Sequence, residues 1–186
     1  MTVPYDFAPA ARQIAVLADG VTDDQFDRPT PCPGWSVAML LHHLLDFTVA
    51  FANGARKQIG LAPEPTADLP PDWRDQLRFR LDDLVSAWRD PDAWLGEATV
   101  GGVALPADLT AAVLADELVV HGWDLAEGTG QPYGAEPELV AAALGFAEKF
   151  SDLEGGPFGP SVEVPAGADD LRRLLGLTGR DVNWRR

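Results

Sequence analysis

The segment from Ala107 to Glu127 constrains the fold most, because it is apolar almost all the way round a helix and still carries a narrow polar stripe. At ~100° per residue, Leu109, Val113, Leu114, Leu118, Val119, Val120, Trp123 and Leu125 occupy most of the wheel, so this helix has to be largely buried. Thr110, Glu117, His121 and Asp124 nevertheless fall in one sector, since their spacings of seven, four and three residues return to the same face. A carboxylate buried alone costs several kcal/mol unless it is paired or bound to a metal. The stripe therefore demands a partner from another helix.

An earlier helix, from Val37 to about Lys57 and capped by Ser36, offers one. Its apolar face is Val37, Leu40, Leu41, Leu44, Phe47 and Phe51. His43 lies at the edge of that face, and His42 points away with Asp46. His43, Glu117 and His121 are thus the expected metal ligands. Two imidazoles and a carboxylate suit Zn²⁺, and three protein ligands leave a fourth position open, as catalytic zinc sites do. Asp124, one turn beyond His121, is the candidate catalytic or orienting carboxylate, either accepting the other ring proton of His121 or facing the site. Trp35 and Trp123 flank the ligands and are candidate pocket walls. The same residues also fit a plainer pattern, in which each histidine is a hydrogen-bonded core residue and Glu117 with His121 is a helix-surface contact.

Other helices are expected over Phe7–Leu17, Trp73–Arg89, Pro137–Phe150 and Ala168–Leu175. The segment 29–35 contains three prolines and cannot be helix, and the Pro-rich stretch between Gly60 and Pro71 reads as a loop. Gly101-Gly102 between short apolar runs allows a small hairpin within 96–106. The expected fold is an all-α up-and-down four-helix bundle with an extra C-terminal helix, forming one domain over residues 1–186. The lone Cys32 rules out an intramolecular disulfide and a cysteine metal cage, which suits a reducing cytoplasm. A net charge of −15 argues against nucleic acid and anionic membranes as partners. No segment reads as a signal peptide or as ~20 continuous apolar residues. A homodimer is left open.

Pro31-Cys32-Pro33-Gly34-Trp35-Ser36-Val37, with His43 eight positions after the tryptophan, resembles the N-terminal metal-binding domain of mycothiol-dependent maleylpyruvate isomerase, in the DinB-like superfamily. Asp116-Glu117-Leu118-Val119-Val120-His121-Gly122-Trp123-Asp124 resembles the second signature of that group, and Phe158-Gly159-Pro160 with Leu174–Asp181 resembles its short actinobacterial metal-binding members. The resemblance implies a metal on His43, Glu117 and His121, and mycothiol as cosubstrate. It also implies a low-molecular-weight thiol joined to a small electrophile by a transferase or isomerase-like reaction. The isomerase carries a further C-terminal domain that this chain does not contain, so maleylpyruvate itself is not the expected substrate. The alternative is a metal- or ligand-binding module without turnover, serving as a sensor or stress protein.

Overall fold

The structure, a computed structural model, describes residues 3–60, 66–153 and 155–185. Its long helices are α1 (Ala8–Asp19), α2 (Val37–Ala55), α3 (Trp73–Trp88), α4 (Ala107–Thr129) and α5 (Pro137–Phe150), followed by a short α6 (Asp170–Leu177). α1 packs against α3 and α4, and α2 packs against the same two, so these four close a ring around one core. α5 lies on the outer side of α4, and α6 lies on α5. This is the expected helical bundle with its C-terminal addition.

The helix boundaries have local causes. The Ser36 hydroxyl accepts the Met39 amide at 3.3 Å and starts α2. α2 is long and apolar enough to cross a membrane on length and composition, yet 67% of that window is buried inside the bundle, so packing against α3 and α4 accounts for its apolar surface. Pro137 sits in the first turn of α5, where its missing N–H is not needed. α4 is buried on nearly every side, with Leu114, Leu118 and Leu125 fully inaccessible.

The hairpin also forms. β2 (Glu97–Val100) and β3 (Val103–Pro106) pair antiparallel through Gly101 and Gly102, whose φ angles of +58° and +79° suit glycine and the twist of a two-residue turn. A two-residue strand β1 (Ile59–Gly60), just after α2, adds parallel to β2. It was not foreseen, because two residues carry no periodicity. Residues 61–65, within the expected Pro-rich loop, lie outside the described residues.

Candidate metal centre

α2 and α4 bring His43, Glu117 and His121 together at the polar edge of the core. His43 Nε2 lies 3.0 Å and His121 Nε2 3.3 Å from the same Glu117 oxygen, Oε2. One ligand atom from each of the three residues falls within 4.8 Å of the other two. Glu117, four positions before His121, and the histidine on the facing helix thus converge on one point.

His121 is held from behind. Its Nδ1 is 3.0 Å from Asp124 Oδ2, and Asp124, with no solvent exposure, also accepts from Arg180 Nη2 at 2.9 Å and Nε at 3.4 Å. Arg180 is itself buried and donates a further bond to the Thr178 carbonyl at 2.7 Å. Gly179, at φ +83°, lets the chain turn sharply after α6 and aims Arg180 inward. With Nδ1 held by Asp124, Nε2 is the ring nitrogen of His121 turned toward Glu117 and His43, where it can offer its lone pair to an ion once its own proton is lost. Asp124 therefore orients His121 and does not face the cavity; the alternative of a carboxylate reaching substrate is corrected by its two occupied oxygens.

The two candidate walls part company. Trp35 stacks on His121, with ring centroids 5.5 Å apart and planes 10° from parallel, and meets His43 edge-on at 4.9 Å. Its position is fixed by the Pro-rich turn, where Thr30 N and Oγ1 both donate to the Trp35 carbonyl at 3.0 and 2.9 Å. Trp123 belongs to the apolar core and lines neither cavity next to Glu117. Two residues after His121 is ~200° round the helix, which turns Trp123 away from the site.

Charges within the cluster respond to one another. Burial by itself would raise the Glu117 carboxyl, but the two imidazoles hydrogen-bonded to it hold it well below the usual carboxylate range. Burial disfavours the charged form of His121, yet its bonds to Asp124 and Glu117 outweigh this and raise its pKa to about 9. Asp116, the neighbour of Glu117, is pushed up to about 8 by burial first and by the Glu117 charge second. Its Oδ1 has no hydrogen-bond partner among the described residues.

A cavity of about 430 Å³ opens over the cluster, lined by Trp35, His43, Glu117, His121, Asp116, Cys32 and Arg180 among others. Cys32, Arg180 and Asp116 were not singled out for this site from the sequence. Cys32, His121 and Asp124 also bring ligand atoms within 4.8 Å. Asp124 is already committed to His121 and Arg180, however, and burial pushes the Cys32 thiol up to about 12, so it stays protonated. The His43, Glu117 and His121 set fits a divalent ion better: it offers two imidazoles and an ionised carboxylate, partly buried and mutually aimed.

Comparison with known proteins agrees with this architecture. The family described as Mycothiol maleylpyruvate isomerase N-terminal domain matches residues 7–126, a span that includes α2, most of α4 and all three candidate ligands. The chain belongs to this family. An uncharacterized protein of Mycobacterium tuberculosis, found in two strains, is 28% identical over 184 residues, covering 89% of this chain and 92% of its own. The crystal structure of the mycothiol-dependent maleylpyruvate isomerase superposes with a TM-score of 0.59 at 23% identity, covering 75% of this chain and 64% of that one. A histidine-to-alanine mutant of that enzyme gives 0.60 at 19% identity over 75% of this chain and 65% of that chain. These likenesses show a shared fold, and this family member spans just under two thirds of the isomerase's length. Arg180 lies beyond the residues that the family description matches.

Proposed function

We propose that this family member holds one divalent ion, zinc by the chemistry of its ligands, on His43, Glu117 and His121, and joins a low-molecular-weight thiol of the mycothiol class to a small electrophile. The observation that carries the reading is the convergence of two imidazole Nε2 atoms on one Glu117 oxygen at 3.0 and 3.3 Å. When bound there, the ion supplies Lewis acidity that lets a thiol ionise near neutral pH.

The protein's own residues prepare the site. Asp124 fixes the His121 tautomer, and Arg180 keeps the fully buried Asp124 carboxylate compensated. Trp35 covers the imidazoles and narrows solvent access. In the transfer, sulfur bonds to the electrophilic carbon as the bond from that carbon to its leaving group breaks; the thiol proton passes to solvent and the leaving group departs with the electron pair. The mycothiol assignment is supported by family membership and by the name of the isomerase with which the fold is shared.

The test is to add zinc and a thiol to metal-free protein and assay a panel of epoxides and halogenated aromatics. Zinc-dependent loss of free thiol, abolished in Glu117→Ala, is the expected result. Stoichiometric zinc binding without conjugation across the panel would leave a metal-binding module and end the enzyme reading.

A further inference from the structure

A second cavity, of about 490 Å³, meets the first at His43, Glu117, Val113 and Phe146. Its walls have a different character. Phe47 and Phe51 come from α2, Leu105 from β3, Leu109 from α4, and Phe146 and Phe150 from α5. Among the described residues, its only ionisable side chains are His43 and Glu117, both at the junction with the first cavity. The cavity is within the size range of small-molecule sites, and its ionisable groups sit together at one end, while the Thr110 hydroxyl on its wall donates to the Pro106 carbonyl.

We propose that this second cavity receives the carbon skeleton of a neutral, apolar electrophile, aromatic or branched aliphatic, with its reactive carbon at the His43–Glu117 end. The reaction itself rests on the thiol-transfer reading above, whereas the ligand class rests on the cavity wall. A dicarboxylate would lose its hydration on entering and meet no lysine or arginine on the described wall. Arg180 does not help it, because Arg180 lines the other cavity and is committed to Asp124. The surrounding chain, at a net charge of −15, disfavours anion entry as well. An apolar ligand meets the reverse conditions: it covers the part-exposed Leu105, Leu109 and Phe150 over a floor formed by the buried Phe47 and Phe51. The two cavities thus divide the labour, one polar toward Asp116 and Arg180, the other apolar toward the hairpin, with the metal ligands between them.

Calorimetric or ligand-observed NMR titration of the zinc-loaded full chain with naphthalene and with maleate tests the ligand class without any turnover. Naphthalene is expected to bind saturably and maleate at least tenfold more weakly. Leu109→Asp should weaken naphthalene at least tenfold with unchanged zinc content, and Val103→Asp, on the exposed hairpin rim, should do so without touching the core. Maleate binding in preference to naphthalene, or naphthalene binding indifferent to both substitutions, would overturn the proposal. If naphthalene binds as described but no neutral electrophile is conjugated to a thiol, the thiol-transfer reading fails while the ligand class of the cavity stands.

Discussion

α2 carries two adjacent histidines, and each ends near a carboxylate and an arginine, but the two clusters are built differently. His42 Nδ1 faces Asp46 Oδ2 at 3.1 Å without the angle of a hydrogen bond, and Arg80 approaches Asp46 only to 4.0 Å. Arg80 is instead bound to the Leu45 carbonyl and to Gln76 Oε1, at 2.8 and 2.7 Å. These side chains are 21–28% exposed. In the other cluster, two imidazoles from two helices meet one carboxylate oxygen, and the supporting Asp124–Arg180 pair is buried. The lesson is that histidine, carboxylate and arginine together do not make an ion site. The candidate ion site differs in that imidazoles from separate helices converge on one carboxylate oxygen while a buried carboxylate fixes the His121 ring.

The largest difference between the clusters should appear in stability. Asp124→Ala leaves Arg180 buried without its partner, which typically costs about 3–5 kcal/mol, so the melting temperature should fall by roughly 10 °C or more. Asp46→Ala removes a loose, part-exposed contact and should cost under about 1 kcal/mol. Equal melting shifts for the two variants would erase the distinction between them.

The next effect is on metal affinity. Asp124→Asn replaces the carboxylate that orients His121 with a neutral amide, a weaker acceptor, and should weaken zinc binding about 10 to 100-fold, while Asp46→Asn leaves it unchanged; competition with a chromogenic chelator measures both. A complete loss in Asp124→Asn would mean that Asp124 is itself a ligand.

A smaller effect separates the clusters by pH. The folded-state pKa of His121 is raised to about 9, above the ordinary value near ~6.5. Its contribution to the metal-free form is therefore complete below pH ~6.5 and is lost as pH rises through about 9. Bound zinc needs the same nitrogen without its proton, so protons compete with the ion more strongly than an ordinary imidazole would imply. The zinc-induced gain in melting temperature should grow from pH 7.5 to 9 and vanish toward pH 5, with His42→Gln behaving as wild type. At pH 7.5, zinc uptake should release about one proton per site from His121, measurable by calorimetry in two buffers of different ionisation enthalpy. A gain independent of pH would exclude histidine ligation.

The convergence of His43, Glu117 and His121 was legible in the sequence because helical periodicity alone turns Glu117 and His121 to one side and separates His43 from His42. The helices followed from the same period, and Ser36 and Gly101-Gly102 marked a cap and a turn through their local chemistry. Arg180 was not legible as the partner of Asp124: the two are 56 residues apart, in different elements, and no spacing rule connects them. Cys32 and Asp116 reach the cavity through tertiary packing that a wheel does not contain. The ring order, with α1 and α2 each flanked by α3 and α4, likewise depends on how the long connections cross. Trp123 failed as a wall for a reason the wheel does hold, since nearness in sequence to His121 is not nearness on the helix face.

The central claim is that His43, and not its neighbour His42, completes the ion site with Glu117 and His121. Its most direct test is the zinc content of wild type, His42→Ala and His43→Ala, each stripped, reloaded with a slight excess of zinc, desalted and measured by elemental analysis. About one zinc per chain in wild type and His42→Ala, and almost none in folded His43→Ala, is the predicted result. Equal zinc in the two alanine variants would contradict the assignment.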